Sequence, residues 1–224
     1  QEIPEELLNY PANDKIFYYT FDVEEGRLKK VYINPKTGGV QKMSMNIFIV
    51  DRELLIDIVN TAYIQGRSFF MRDVIMPQLG KMNVQAYKYT GYVARISGMK
   101  SYFEENMKLL DDYNLDALFS SAPIYTKIRG DNPTHYKDGA KIQNVMMADG
   151  CVIEGEVENS VIFRGVKIGK GAKVKNCILM QDSVIESGAN VEYLITDKNV
   201  TITSGKAMKG TDTFPVYIEK YKVV

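Results

Sequence analysis

The sequence is poor in residues that commonly perform catalysis or form cross-links. Its 224 residues include one histidine, two cysteines and no tryptophan. A single histidine, His135, argues against most zinc sites and against Ser-His-Asp catalysis. Two cysteines, Cys151 and Cys177, cannot form a disulfide framework, so we expect a reduced, cytoplasmic protein in which both are small core residues.

The sequence also lacks an excess of charge of either sign and lacks long apolar runs. Lys plus Arg number 28 and Asp plus Glu number 28, so no attraction to nucleic acid or to an anionic membrane surface is expected. No apolar run approaches the roughly 18 residues that span a bilayer. The chain opens at Gln1 without a methionine or a signal peptide, and we expect it to be part of a longer protein.

The second half of the chain repeats itself. Each repeat opens with a short apolar strand, contains a second strand near its middle and turns on a glycine such as Gly155, Gly169, Gly188 or Gly205. The period of about 17 residues is three hexapeptides, which predicts one triangular coil of a left-handed parallel β-helix per repeat. An antiparallel meander is the alternative. The four repeats are NVMMADGCVIEGEVE (144–158), NSVIFRGVKIGKGAKVK (159–175), NCILMQDSVIESGANVE (176–192) and YLITDKNVTITSGKAMKG (193–210).

In such a coil, one short aliphatic side chain on each side points inward, because a single coil cannot bury its apolar face alone and must stack on the next. The residues that we predict to point inward are Val161, Val166, Ile168, Val174, Ile178, Val184 and Val191.

The first half alternates strand and helix patterns. We predict strands at 15–21, 28–33, 44–50, 84–89 and 92–96. Helices are predicted after an Asp51 cap, over 70–79, and after a capping box at Ser101 up to about Leu110. The fold class is therefore a partial α/β domain with an incomplete sheet over 1–110, a linker over 111–123 and the β-helix with its tail over 124–224.

Several stretches together resemble the C-terminal part of the glucose-1-phosphate adenylyltransferase (ADP-glucose pyrophosphorylase) family. They cover most of residues 40–200 in the family's order. The stretches are SMNIFIVDRELL, NVQAYKYTGYVARISGMKSYFEENMKLLD, APIYTKIRG and ADGCVIEGEVENSVIFRGVKIGKGAKVKNCILMQDSV. The resemblance implies a nucleotidyltransferase domain, here without its first part and its phosphate-binding loop, followed by a β-helix that helps to join subunits.

The sequence departs from the family pattern at the motifs that catalysis needs. Catalytic members carry an aspartate that helps to hold Mg²⁺ in a stretch that is here 91–98, and the matching residue is Arg95. An EKP triplet is replaced by 33–35, the SMG motif by 44–46 and a DFG-like stretch by 68–70. The resemblance therefore implies a regulatory, non-catalytic subunit that acts in a tetramer with a catalytic subunit or with itself. We expect no cofactor here, and Mg²⁺ only in catalytic members.

Few residues remain as site candidates. Ser44 is a candidate for a hydrogen bond to a sugar hydroxyl, and the tail PVYIEKYKVV (215–224) is a candidate cap for the last coil or a strand for a partner. A phosphorylated effector is predicted to bind basic residues near the start of the repeats, although a solvated face paired with Glu154, Glu156 and Glu158 is the simpler interpretation. The effector candidates are Lys127, Arg129, Arg164 and Lys167.

Two other functions stay open. A hexapeptide acyltransferase would use a histidine between coils, but His135 precedes the first repeat that we recognise. An active sugar-1-phosphate nucleotidyltransferase would need the carboxylate that Arg95 has replaced.

Overall fold

The computed structural model describes residues 18–36, 39–120 and 123–224. The chain divides into two compact units, Gln1–Tyr89 and Thr90–Val224. This division comes earlier than the boundary at 110 predicted from the sequence. The predicted linker over 111–123 contains a helix, described below, that belongs to the second unit.

The first unit contains a β-hairpin and short helices. The turn between its two strands is Glu25 and Gly26, both with positive φ (49° and 80°), which matches the twist of a two-residue hairpin turn. The antiparallel strands are β1 (Tyr19–Glu24) and β2 (Arg27–Ile33), followed by helix α1 (Arg52–Ile64), a π-helical turn (Phe70–Ile75) and a 3-10 turn (Met76–Gln78). The core of the unit contains Tyr19, Leu28, Val31, Met71 and Ile75.

The predicted start of helix α1 after an Asp51 cap is confirmed. Asp51 caps α1 by accepting hydrogen bonds from the backbone N–H of Glu53 and Leu54, at 3.0 and 3.1 Å. The predicted helix over 70–79 is a π-helical turn followed by a 3-10 turn, with Pro77 near the start of the latter. Proline lacks the amide N–H that a continuous helix would use there.

Three predicted strands are absent from the first half. Residues 44–50, 84–89 and 92–96 form no strand, and only the isolated bridges Thr20–Met43 and Arg27–Gln85 accompany them. Their side chains suit a sheet, yet their backbone hydrogen bonds to the β1–β2 hairpin, such as Leu28 N–H to Val84 O and Ala86 N–H to Gly26 O, are too few to form a strand ladder. Ile47 and Ile49 are accordingly 73% and 100% exposed.

The second unit begins with helices α2 (Met99–Lys108) and α3 (Asp112–Phe119). The N-cap that the sequence predicted at Ser101 lies about one turn earlier in the structure. Gly98, not Ser101, is the N-cap, and Ser101 is the third helical residue, whose Oγ accepts the backbone N–H of Gly98 at 3.0 Å. A serine oxygen satisfies the free amide at a helix start from either position.

A parallel β-solenoid follows, as the repeats predict. Each of its three sides is a ladder of short parallel strands. The first side contains β3 (His135–Tyr136), β5 (Val152–Ile153), β7 (Lys167–Ile168), β10 (Val184–Ile185) and β13 (Thr201–Ile202). The second contains the start of β4 (Lys141–Met147) and of β6 (Glu156–Ile162), then β8 (Lys173–Lys175), β11 (Asn190–Glu192) and β14 (Ala207–Lys209). The third contains the ends of β4 and β6, then β9 (Ile178–Leu179), β12 (Leu194–Thr196) and β15 (Val216–Ile218).

The solenoid starts one coil earlier than the sequence repeats suggested. His135 forms a parallel pair with Val152 on the first side, so the expectation that His135 precedes the coils is wrong. The period is irregular at this point. Val152 pairs with Lys167, fifteen residues later, whereas Lys167 pairs with Val184, seventeen residues later. The shorter spacing hides the first coil from a search for equal repeats.

The interior of the solenoid is aliphatic and contains both cysteines. Ile153, Ile168, Ile185 and Ile202 form one inward row and are 0–1% exposed. Cys151 and Cys177 are free thiols in the same core, as predicted. Burial raises the pKa of the Cys177 thiol to about 12, so this group stays protonated at neutral pH.

Three of the seven residues predicted to point inward do not belong to this core. Val166, Ile168, Val174 and Val191 do, but Val161 and Ile178 belong to a separate cluster under helix α2. Val184 lies on the outer face of the first side, next to the inward Ile185. Neighbouring residues of a strand point to opposite faces, so two adjacent aliphatic residues cannot both reach the interior.

The tail is built into the solenoid. Its strand β15 pairs in parallel with β12, and Val223 bridges to Thr201 on the first side. The first of the two alternatives predicted for the tail, a cap on the last coil, is confirmed. None of the helices in the described part of the chain has the length and apolar character that a bilayer-spanning segment needs.

Candidate functional site

Residues 91–98, which are predicted to correspond to the family's metal-binding motif, lie in irregular backbone before and at the start of helix α2. Arg95 is half-buried there. Tyr92, three residues earlier, donates its hydroxyl hydrogen bond to Glu105 Oε2 on α2 at 2.9 Å. Burial, and then this carboxylate, raise the pKa of the Tyr92 hydroxyl to about 12. The residues described contain no group of three or more His, Cys, Asp or Glu side chains placed to share a metal ion.

Ser44 is a buried residue with local partners. It is 8% exposed, and its backbone N–H donates to Tyr19 O at 2.9 Å. Its Oγ accepts the backbone N–H of Asn46 at 3.1 Å, where Asn46 has a positive φ of 55°. The hydroxyl thus stabilises a turn, and its role toward a sugar stays a prediction.

Two of the four predicted effector-binding residues come together. Arg129 Nε lies 3.4 Å and Arg164 Nε lies 3.7 Å from the same oxygen, Asp131 Oδ2. That oxygen is buried and accepts no hydrogen bond of good geometry in the part of the chain described. One carboxylate therefore holds two guanidinium groups together at the first corner of the solenoid. Lys127 and Lys167 are exposed and take no part in this contact.

Several other basic residues of the solenoid are paired with acidic residues on neighbouring coils, which supports the interpretation as a solvated face. On the second side, Lys175 lies 3.0 Å from Glu158, and Lys141 lies 2.6 Å from Glu156. Opposite charges on adjacent in-register strands stabilise a sheet. The hydrogen bond and charge of Glu158 raise the pKa of Lys175. The aromatic residues near the start are also structural. Tyr18 and Tyr19 are buried, and Phe17 lies outside the described residues.

A groove on the outer face of the first side was not found by sequence reasoning. Its volume is about 480 Å³, and Lys167, Glu154 and Glu186 are among its lining residues. The only signal of this groove in the sequence is Gly169, which the repeat pattern predicts to be a corner residue. Its backbone φ is not positive, and a β-carbon there would lie 2.7 Å from the backbone N of Ser187. Glycine is needed there because the backbone of the next coil fills the space that a side chain would take.

Comparisons with known proteins agree with the solenoid and with the family resemblance. Residues 132–213 match the family described as "GlmU-like, C-terminal hexapeptide". The glycogen biosynthesis protein GlgD of Bacillus subtilis is 34% identical over 178 residues, which are 79% of this chain and 52% of the relative.

Glucose-1-phosphate adenylyltransferases also match parts of this chain. That of Geobacillus stearothermophilus is 38% identical over 136 residues, which are 59% of this chain and 35% of the relative. That of Acetivibrio thermocellus is 28% identical over 215 residues, which are 93% of this chain and 50% of the relative. The chain spans about half or less of the length of these curated relatives.

Proposed function

Because the chain is homologous to the C-terminal, hexapeptide-containing part of the glucose-1-phosphate adenylyltransferase family, we propose that it belongs to a regulatory, non-catalytic subunit of ADP-glucose synthesis. This subunit assembles with a catalytic subunit and changes its activity. The observation that carries the proposal is Arg95, which stands where catalytic members place the carboxylate that helps to hold Mg²⁺.

The chemistry of phosphoryl transfer explains why this one residue matters. Metal ions neutralise the charge that develops on the phosphates, and the protein mainly positions the reactants. Mg²⁺ requires oxygen ligands, whereas a guanidinium offers only N–H donors and keeps its positive charge. Arg95 is therefore unsuited to the role of the replaced carboxylate.

Sequence identity alone does not separate the two kinds of subunit. The GlgD protein of Bacillus subtilis and the adenylyltransferase of Geobacillus stearothermophilus are 34% and 38% identical to this chain. Arg95 favours the regulatory kind. The solenoid supports assembly, because its coils form a rigid platform with flat outer faces.

The test is to purify the full-length protein that contains this chain, alone and with a catalytic glucose-1-phosphate adenylyltransferase from the same organism. Alone, it is expected to make no ADP-glucose above background. Together, the two are expected to co-elute on size-exclusion chromatography, and the activation constant or maximal rate of the catalytic subunit is expected to change. A coupling of about 1–3 kcal/mol would change an activation constant by roughly 5–150-fold.

Turnover by the protein alone at the rate of the catalytic subunit would refute the proposal and favour an active nucleotidyltransferase. The absence of both a complex and a kinetic effect would also refute the proposal. An acyltransferase, which would bind acetyl-CoA, is less favoured, because the homology to adenylyltransferases also covers residues that precede the solenoid.

The pair formed by Arg129 and Arg164 supports a site for a phosphorylated effector. Asp131 lies between the two and would compete with an anionic ligand for them. In the complex, Asp131→Asn is expected to lower the effector concentration needed for half-maximal response. Arg164→Ala is expected to raise it by roughly tenfold, since charge-assisted hydrogen bonds to phosphate are strong. Lys170→Ala, on an exposed corner of a neighbouring coil, is the control. Equal effects of Arg164→Ala and Lys170→Ala on this concentration would contradict the site.

A further inference from the structure

A second depression lies at the corner between the second and third sides of the solenoid, beside the end of helix α2. Its volume is about 450 Å³, and small-molecule pockets commonly measure about 300–1,000 Å³. We call this depression the corner groove. All of its lining residues belong to the second unit. They are Met107, Leu110, Asp111, Asn144, Asn159 and Asn176.

Three asparagines line the corner groove, one from each of three successive coils. Each has a positive φ, which is 51° at Asn144, 44° at Asn159 and 51° at Asn176. Because adjacent coils are about 4.8 Å apart, the three side chains form a row about 10 Å long, which we call the asparagine ladder. On the next coil the same position is Tyr193, whose ring packs with that of Phe103 instead.

The asparagine ladder retains hydrogen-bonding capacity. Asn144 Nδ2 donates to Asn159 Oδ1 at 2.7 Å. Within the described residues, neither Asn159 Nδ2 nor the side-chain amide of Asn176 forms a hydrogen bond. Both side chains are half-buried. Since each amide has two N–H donors and one acceptor oxygen, the ladder presents donors and acceptors to the groove.

The remaining lining residues come from the end of α2 and the turn that follows it. Met107 and Leu110 are half-buried and pack against the apolar cluster under the helix. Asp111 Oδ1 caps α3 by accepting the backbone N–H of Asn114 at 3.2 Å, while Oδ2 accepts no hydrogen bond from the described part of the chain. The groove thus combines apolar surface, neutral amides and one carboxylate oxygen, and none of its lining residues is basic.

The backbone conformation does not by itself explain the asparagines. The corner between the first and second sides meets the same requirement with glycine, as at Gly171, Gly188 and Gly205, where φ is 71°, 72° and 69°. Glycine adopts a positive φ without steric cost, whereas asparagine does so less readily. The ladder therefore keeps a polar side chain at positions where glycine would suit the backbone, and this favours a role for the side chains.

These groups match the chemistry of a neutral saccharide. Sugar hydroxyl groups donate and accept hydrogen bonds, as the amides do, and a carboxylate oxygen accepts from a hydroxyl. One face of a pyranose ring carries C–H groups, which would pack on Met107 and Leu110. An anion would be repelled by Asp111, and a cation would leave the amide donors unpaired. We propose that the corner groove binds a neutral saccharide through Asn159, Asn176 and Asp111.

Maltose is a suitable probe because it is uncharged and its two rings suit the length of the asparagine ladder. A surface groove contacts only one face of a sugar, so we expect a dissociation constant in the millimolar range. Titration of the purified protein with maltose, followed by ¹H–¹⁵N NMR spectra, should shift the side-chain amide signals of Asn159 and Asn176. The shifts should saturate with a single dissociation constant.

Substitutions at two corners provide the decisive comparison. Asn176→Gly removes the amide and keeps the positive φ, so it should weaken maltose binding by roughly three- to tenfold. Asn199→Gly is the matched control, because Asn199 also has a positive φ, 57°, but lies at the corner between the third and first sides. It should leave the dissociation constant unchanged. Asp111→Asn should weaken binding while preserving the helix cap, since asparagine caps helices as well as aspartate does.

Three results would overturn the proposal. The first is the absence of saturable shifts of the Asn159 and Asn176 side-chain signals up to the solubility limit of maltose. The second is an equal effect of Asn176→Gly and Asn199→Gly in variants whose circular dichroism shows a native fold. The third is tighter binding of inorganic phosphate or of guanidinium ion than of maltose in the groove. None of these measurements concerns ADP-glucose synthesis, so this proposal and the regulatory function can fail separately.

Discussion

Replacing Gly155 with alanine is expected to destabilise the solenoid by about 3 kcal/mol. A β-carbon at Gly155 would lie 2.5 Å from the carbonyl oxygen of Ala172 and 2.8 Å from that of Gly169. Both atoms belong to the backbone of the next coil, so neither can rotate away. The coil could make room only by moving strands that are paired on both sides.

The close approach at Gly155 arises because its coil is shorter than the next one. Between Ile153 on the first side and Glu156 on the second, the chain has two residues, whereas the next coil has four between Ile168 and Lys173. The corner that contains Gly155 is therefore two residues shorter than the same corner of the next coil.

The measurement is denaturant unfolding followed by far-UV circular dichroism, with Gly130→Ala as the control. No atom lies within 4 Å of a β-carbon at Gly130, and its φ is not in the left-handed region. The control should change the free energy of unfolding by less than about 0.5 kcal/mol. Equal midpoints for Gly155→Ala and the parent chain would show that the corner can relax.

The second large effect is expected at the helix that covers the third side. Phe103 on α2 is 4% exposed and packs with Val161, Ile178 and Ile195, which point outward from the solenoid. Its ring centroid lies 6.1 Å from that of Tyr193. Phe103→Ala should cost about 3–5 kcal/mol of the free energy that holds the helix in place.

The effect of Phe103→Ala should be confined to helix α2. A helix of 10 residues is marginal in water without tertiary contacts, so α2 should lose hydrogen-exchange protection while the solenoid strands keep theirs. Phe119→Ala on α3 is the matched control, because Phe119 is 45% exposed. Unchanged protection of α2 in Phe103→Ala would mean that other contacts hold the helix.

The solenoid was predictable because its period is long and regular over three coils. Glycine and aliphatic residues recur at equal spacing from 159 to 205, and each recurrence has one physical cause, the stacking of coils. The prediction failed where the period changes. The short corner at Gly155 displaced the first coil by two residues, so His135 was placed outside the solenoid.

Which aliphatic residues point inward was less predictable. Val161 and Ile162 are adjacent and equally apolar, yet Ile162 faces the core and Val161 faces helix α2. A strand with apolar residues on both faces indicates that something covers the outer face, but not what. The helix that covers it lies more than 50 residues earlier in the chain, and the sequence alone assigned that helix to the other unit.

The candidate sites were predictable in residue type but not in arrangement. The sequence pointed to basic residues around the first coils, and the structure selects Arg129 and Arg164 because Asp131 lies between them. The sequence alone could not show the groove near Gly169. A groove depends on which residues share a face on successive coils, and the irregular coil length obscured that register.

The short corner also determines where this solenoid can gain or lose residues. Two residues fewer at Gly155 leave every ladder on the three sides in register. One residue inserted between Val152 and Ile153 would instead reverse the alternation of that strand, exposing an isoleucine to water and burying a charged neighbour. Natural relatives of different coil length should therefore differ at their corners, and loops grafted onto this scaffold are best placed there.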